Sequence, residues 1–375
     1  MIRIAPFGMD LVLSGYYLAA PLLLIELEAN PVELGLVASI TAGVHMLLAH
    51  RMGPFSDRFG RRRLILLGPL LFALSCLLAA MTNRVEVILL LSALNGLCLS
   101  LFWPPLQAWV ADLQTGSSLA RDIGTLNMAW TASHLIGPTI SGFLFGLHPK
   151  LPFLFAASLS FILFLLCYGS IHDRPVTAKA KEHATETSSQ AWQKSFLYSV
   201  WIANFLSWFI LGNARNQFPK LARELGSSPQ TVGLIVGCLG FSLFLGFFLL
   251  RKSDRWHFRR RYLFGAQTVA AGGLLMIYFS SSPFFFALAL ILIGLSASVT
   301  YYSSLFYAIQ LSTQKGKGTG FHESILSIGA LMGPLLGGLG AHFWGLRIPY
   351  LICLSFLLAA VASEAAILRR RTPPN

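Results

Sequence analysis

Long apolar runs alternate with short polar breaks along the whole chain. The runs fall near residues 6–28, 32–52, 63–82, 86–110, 123–146, 151–171, 196–219, 230–250, 261–281, 284–309, 319–344 and 349–368. Each approaches or exceeds the roughly 20 apolar residues that a bilayer-crossing helix needs. The pattern predicts an all-α membrane protein with twelve transmembrane helices. One long polar stretch, His172 to Lys194, interrupts it with Asp173, Arg174, Lys179, Lys181, Glu182 and Glu186. It splits the chain six plus six: a bundle over 1–172, a cytoplasmic linker over 173–195 and a second bundle over 196–375.

Composition agrees. Of 375 residues, 55% are hydrophobic and 11% charged, against about 25% charged in a soluble domain. Such a chain has too little polar surface to cover a soluble core, which excludes a soluble enzyme, a disordered protein and a coiled coil. The net charge of +13 would suggest nucleic acid in a soluble protein. Here the basic residues belong to loops, so a lipid bilayer is the expected surroundings and nucleic acid is not an expected partner. With both termini inside, 22 of the 28 Lys and Arg face the cytoplasm and five (Arg84, Lys150, Lys220, Arg223, Arg347) face out. That bias predicts cytoplasmic termini in an inner or plasma membrane. The first run is expected to remain as a span rather than be removed as a signal peptide. Cys76, Cys98, Cys167, Cys238 and Cys353 lack metal-ligand spacing and read as packing residues. No metal or cofactor is expected.

The two halves repeat. At an offset of 198, Pro21, Glu26, Pro31 and Gly35 fall on Pro219, Glu224, Pro229 and Gly233, and Arg61 to Arg63 fall on Arg259 to Arg261. Gly96 and Ser100 fall on Gly294 and Ser298. At 196, Gly137-Pro138 and Gly142 fall on Gly333-Pro334 and Gly338. A duplicated six-helix unit explains polar and proline matches in this order.

Between spans two and three lies Gly53-Pro54-Phe55-Ser56-Asp57-Arg58-Phe59-Gly60-Arg61-Arg62-Arg63. The chain reverses there in a few residues. Gly60 suits a backbone that other residues resist, Gly53 permits close helix approach, and Asp57 can accept from an arginine. The segment resembles the signature loop of the major facilitator superfamily: Gly, three residues, Asp-Arg, one residue, Gly-Arg-Arg. A worn second copy, Arg251 to Arg259, has lost both glycines. The resemblance extends over the whole chain, through its twelve spans, its six-plus-six repeat and its central polar loop. It implies a solute transporter whose two bundles rock about a central site. It also implies a gating role for Gly53, Asp57, Arg58, Gly60 and Arg61, latching against the start of span eleven near Gly318 to Phe321.

Spans five and eleven each carry a Gly-Pro pair, Gly137-Pro138 and Gly333-Pro334. Proline inside a helix removes a backbone bond and bends it, so both pairs are gating candidates. The pair resembles the Gly-Pro-x-x-Gly-Gly motif of exporters in the family, although Ser141 replaces one glycine and the cleaner copy sits in span eleven. An arginine that many proton-driven relatives carry in span four is absent: no Lys or Arg occurs from Val87 to Ala111.

Ionisable groups within spans are costly and become functional candidates. Asp10 lies in span one on a stripe with Ser14, Tyr17 and Pro21. Its alternative is a carboxylate near the cytoplasmic end, paired with Arg3 or a loop arginine. His322-Glu323 opens span eleven; the zinc-protease pattern fails because Leu326 occupies the second ligand position. Glu323 reads either as a proton carrier or as a helix N-terminal acid. Arg215, near the outer end of span seven, shares a face with Asn204, Trp208 and Leu211. It reads either as a bidentate anion contact, or as a structural ion pair or a snorkelling residue near Lys220 and Arg223. His45, His50 and His134 read as packing residues. Glu364 is expected to pair with Arg369 and Arg370. Trp103 and Gln107 share a face of span four, and Tyr301, Tyr302 and Tyr307 lie in span ten. The resemblance implies that spans one, four, seven and ten line a cavity. An aromatic wall with scattered amides suits a moderately apolar organic solute. Trp109 and Trp192 read as interfacial belt residues.

The expectation is a monomeric secondary transporter and not an enzyme, exporting a small amphiphilic solute against protons. Asp10 and Glu323 would carry protons; Tyr17, Trp103, Gln107, Trp208, Arg215 and Tyr301 would contact substrate. The alternatives are uptake of an organic anion with Arg215 as counter-ion, and a non-transporting receptor or scaffold on the same fold.

Overall fold

The computed structural model describes residues 1, 3–112, 119–171, 189–252, 255–311 and 315–369. Within them the chain forms thirteen helices and no strand. In order these are α1 (Ile4–Glu26), α2 (Pro31–Phe59), α3 (Arg61–Met81), α4 (Val85–Asp112), α5 (Leu119–Leu147), α6 (Leu151–Ser170) and α7 (Ser189–Asn216). They continue as α8 (Phe218–Glu224), α9 (Pro229–Leu250), α10 (Arg260–Phe279), α11 (Pro283–Leu311), α12 (Lys315–Trp344) and α13 (Ile348–Arg369). Twelve are long. The seven-residue α8 was not expected; it continues span seven after a break at Gln217, where Pro219 occupies its first turn. Eleven stretches of the described residues are long and apolar enough to cross a membrane, and α5, with 29 residues, is the twelfth long helix. The expected linker lies outside the described residues as far as residue 188, and α7 starts at Ser189, ahead of the expected 196.

The halves are two six-helix bundles related by the sequence repeat, and matched residues do matched work. Asn30 caps α2 and bonds back through Glu33, with Pro31 in the first turn; Ser228 caps α9, with Pro229 in the first turn. Arg62 at the start of α3 donates to the Tyr168 carbonyl at the end of α6 (2.8 Å). Arg260 at the start of α10 donates to the Leu368 carbonyl at the end of α13. Each arginine ties the third span of its half to the sixth and neutralises orphan carbonyls at a helix C-terminus. At the opposite end, Lys150 donates to Thr82 beyond α3. Its counterpart Arg347 donates to Ile277 and Ser280 (3.2 and 2.6 Å) around the end of α10. Burial pushes the Lys150 ammonium below the ordinary lysine range.

The signature segment differs from expectation. Helix α2 runs through Phe59, so Gly53 to Phe59 is helical and the reversal is confined to Gly60, at φ 91°. Only glycine takes that backbone without strain. Gly53 therefore sits in a helix rather than a loop. Asp57 bonds Arg61 one turn on, at 2.9 Å. Arg58 lies over the Phe59 ring at 5.7 Å. In the second half the corresponding reversal is made by Phe258 at φ 50°. Its amide donates to the Tyr307 hydroxyl (2.7 Å), and its ring stacks on Tyr307.

Candidate functional site

The helices part at one end of the bundle and close at the other. Near end denotes the side where α1 starts and α13 finishes; far end denotes the opposite side. At the far end, α5 lies against α9 and α2 against α12 with backbones in contact. A Cβ on Gly142 would stand 2.6 Å from the Pro229 carbonyl and 2.9 Å from the Gly233 Cα. One on Gly233 would stand 2.7 Å from the Pro138 carbonyl. In the other pair, a Cβ on Gly338 would meet the Pro31 carbonyl at 2.6 Å, and one on Gly35 would collide with the Pro334 carbonyl. Gly137 and Gly333 seat these helices on α1 and α7: a Cβ on Gly137 would strike Ser14, and one on Gly333 the Phe209 backbone. The repeated Gly-Pro elements thus build the far-end seal. Polar contacts reinforce it. Ser39 donates to the Leu331 carbonyl (2.8 Å), Gln217 to Pro31 (3.0 Å) and Lys220 to Ala29 (3.0 Å), while Arg223 reaches Glu26 at 3.3 Å.

Below the seal is a cavity of about 190 Å³. All eight candidate residues, Asp10, Tyr17, Trp103, Gln107, Trp208, Arg215, Tyr301 and Glu323, line it. Gln107, late in α4, is exposed, so the cavity opens toward the near end. There α2 and α12 carry exposed Leu47, Phe55 and Phe321. Phe321 packs on Trp201 (4.5 Å) while Asp57 holds Arg61, so the expected partners of the signature latch are each engaged elsewhere.

The charged groups sit apart from those first expected to hold them. Asp10 is buried, with Oδ1 3.9 Å from His134 Nε2 and Oδ2 without a partner. Its alternative pairing with Arg3 is not made: Arg3 is exposed at the start of α1, whereas Asp10, two turns further on, is buried and lines the cavity. Arg215 leans over the Trp208 ring at 5.6 Å, and its Nη2 is buried and unpartnered. Arg215 lines the cavity, whereas Lys220 and Arg223 make far-end contacts to Ala29 and Glu26. The guanidinium charge acts on Asp10, Tyr17 and His134. Glu323 and Gln107 face each other in the cavity wall. Helix α12 starts eight residues earlier, at Lys315, so Glu323 is too deep to act as an N-terminal acid. His322 turns away, bonding Ser304 (2.7 Å) beneath the Tyr301 ring.

Aromatic rings form the wall between these charges. Tyr301 meets Trp130 at 5.7 Å, Trp208 at 6.1 Å and Phe247 at 5.4 Å. Trp130, Asn127 and His134 of α5, Thr41 and His45 of α2, and Ser327 of α12 also line the cavity. The cavity therefore takes in α2, α5 and α12 beyond the four spans first assigned to it. His134 was read as a packing residue, yet Asn127, Trp130 and His134 follow i, i+3, i+7 spacing, a signal that marks one helix face. Several expectations are corrected. Tyr302 packs on Trp256 and Tyr307 on Phe258, away from the cavity, because these rings fill the near end of the second bundle. Trp109 and Trp192 are buried rather than interfacial, Trp192 beneath Arg260. Glu364 accepts from Gln267 (2.8 and 2.9 Å) inside the second bundle; Arg370, one of its two expected partners, lies outside the described residues.

Comparison with known proteins agrees with this architecture. The family model for the Major Facilitator Superfamily matches residues 4–214 and 200–375. The chain belongs to that superfamily of membrane transporters and is a multi-pass membrane protein. It is 26% identical over 356 residues to multidrug resistance protein 1 of Bacillus subtilis (strain 168), covering 90% of this chain and 86% of that protein. It is 22% identical over 354 residues to quinolone resistance protein NorA of Staphylococcus aureus (strain Mu50 / ATCC 700699), covering 88% and 87%. Among solved structures, the fold matches a bacterial homologue of the human lysosomal transporter Spinster in an inward-facing, occupied conformation. The TM-score there is 0.78 at 16% identity, over 100% of this chain and 97% of that one.

Proposed function

We propose that the protein exports a moderately apolar amphiphilic solute across an inner or plasma membrane in exchange for protons. The carrying observation is the cavity itself: aromatic walls, two carboxylates and one arginine, sealed at one end and open at the other. The 22-to-5 bias of basic residues supports placing the near end and both termini in the cytoplasm, which makes this conformation inward-open. The named relatives are resistance proteins, which supports outward movement.

Asp10 and Glu323 serve as the proton carriers in this reading. Each opens on the cavity, and neither is neutralised by a close ion pair: Asp10 has a histidine 3.9 Å away, Glu323 an amide. Solute entering from the cytoplasm displaces a proton, since one carboxylate cannot bind a cationic solute group and a proton together. Loaded protein then closes at the near end, where Gly53, Asp57, Arg58, Gly60 and Arg61 act as the latch. It opens at the far end, where Gly137, Pro138, Gly333 and Pro334 part or pivot. Tyr17, Trp103, Gln107, Trp208, Arg215 and Tyr301 hold the solute, and a monomer suffices.

Binding and proton release are measurable together. Purified protein in weak buffer, mixed with members of a panel of fluorescent aromatic amphiphiles, is expected to release protons as each bound compound docks. Release is expected to fall in Asp10→Asn and Glu323→Gln. Binding with no proton release by the unaltered protein would defeat the coupling. Uptake of an organic anion is the second reading, favoured by the unpartnered Arg215 Nη2; it predicts proton uptake on binding instead.

A further inference from the structure

Two buried atoms of opposite charge belong to side chains that line this cavity. Oδ2 of Asp10, on α1, and Nη2 of Arg215, on α7, are both without a hydrogen-bond partner. Both residues line the one cavity. They come from different halves of the chain, and each feels the other's charge. Leaving a charged donor or acceptor buried and unbonded is costly, so such a pair marks a place where a ligand supplies the missing bonds.

We propose that the site is built for an amphoteric solute: a zwitterion whose ammonium is taken by Asp10 and whose carboxylate is taken by Arg215, with an aromatic body against Trp130, Trp208 and Tyr301. This rests on the transport reading above and names its substrate class. Electrostatics decides the class. A purely anionic solute on Arg215 brings its charge beside Asp10. A purely cationic one on Asp10 brings its charge beside Arg215. Only a solute carrying both signs gains at both ends, because unpaired charges in a low-dielectric cavity interact strongly. Arg215 already has its guanidinium face on Trp208, which leaves its edge for a planar carboxylate. The other titratable groups facing the cavity rank the losers. Glu323 adds a second negative charge, so a cation binds better than an anion. His134 and Tyr17 flank the Asp10 end and add no fixed positive charge when neutral.

The test is equilibrium binding to purified protein in nanodiscs, read by quenching of the cavity tryptophans. The probes are naphthylalanine and a series of naphthyl amino acids with one to four carbons between amine and carboxylate. Each is compared with its methyl ester, a cation, and its N-acetyl derivative, an anion. At least one spacing is expected to bind tenfold or more tighter than its ester, with the anion weakest. Arg215→Gln is expected to erase the preference over the ester and leave ester binding intact or improved. Asp10→Asn is expected to erase the preference over the N-acetyl form. If, at every spacing, the ester binds as tightly as the zwitterion, or if Arg215→Gln leaves the preference unchanged, the inference is overturned. Binding is read without transport, so a preference seen in protein that moves no solute defeats the transport reading and not this one.

Discussion

The far and near ends of the same helix pairs are built from different chemistry. At the far end, α2–α12 and α5–α9 meet through glycines, carbonyls and a few polar bonds, with backbones close enough that a single Cβ does not fit at Gly35 or Gly233. At the near end the same helices carry exposed Phe55, Phe59 and Phe321, and the Asp57–Arg61 pair. Tight backbone contact holds one end shut in this conformation. Loosely held side chains leave the other free. A molecule that alternates needs both ends to close in turn, so the account places the firm seal on glycine and the adjustable one on charge.

The largest effect is expected from filling the far seal. Gly233 lies against the Pro138 carbonyl and the Gly142 Cα. Gly233→Val is expected to force α5 and α9 apart, at a cost of about 1–3 kcal/mol for overpacking. Transport is expected to fall at least tenfold, and a cysteine introduced at Gln217 to react faster with an external maleimide. Unchanged reactivity would mean the seal does not depend on close approach.

Next comes the near-end reversal of the second half. Tyr307→Phe removes the acceptor for the Phe258 amide and leaves that donor unsatisfied at a positive-φ residue. A loss of about 1–3 kcal/mol is expected, seen as a lower melting temperature in detergent. Because Gly60 makes the matched turn without a side-chain crutch, the corresponding first-half change should leave melting alone. Asp57→Asn is that change. The pair is half exposed on the Asp57 side, and i,i+4 pairs of this kind contribute about 0.3–0.5 kcal/mol. Melting is expected to hold while transport drops several-fold, because closure rather than folding is impaired. Equal losses of both would reduce Asp57 to a stability residue. The smallest effect belongs to Glu26→Arg, which opposes Arg223 across the far seal. A shift of about 1 kcal/mol or less toward far-end opening is expected, cancelled by Arg223→Glu in the same chain and read from the same cysteine.

The number of long helices, the duplicated plan and the two Gly-Pro elements were legible in the sequence, because apolar run length and ordered Pro, Gly and Arg matches survive in one dimension. The eight candidate residues meet in one cavity because intramembrane charges and polar helix faces have few other places to go. What failed was local. Gly53 to Phe59 looked like a loop because glycine and proline usually break helices, yet Pro54 is accommodated within α2. His134 looked inert because a lone histidine carries no pattern until Asn127 and Trp130 are set beside it. Glu364 was assigned to nearby arginines in sequence, whereas its partner Gln267 lies 97 residues away on α10. Partners brought together by packing leave no mark in spacing.

The central claim is that a proton gradient drives solute out through the cavity. Reconstitute the protein in liposomes, impose a gradient of either sign and follow a fluorescent amphiphile that the protein binds. The account predicts movement against the proton flow that reverses with the gradient and is lost in Asp10→Asn and Glu323→Gln. Solute movement indifferent to the gradient, and the same in both variants, would contradict it.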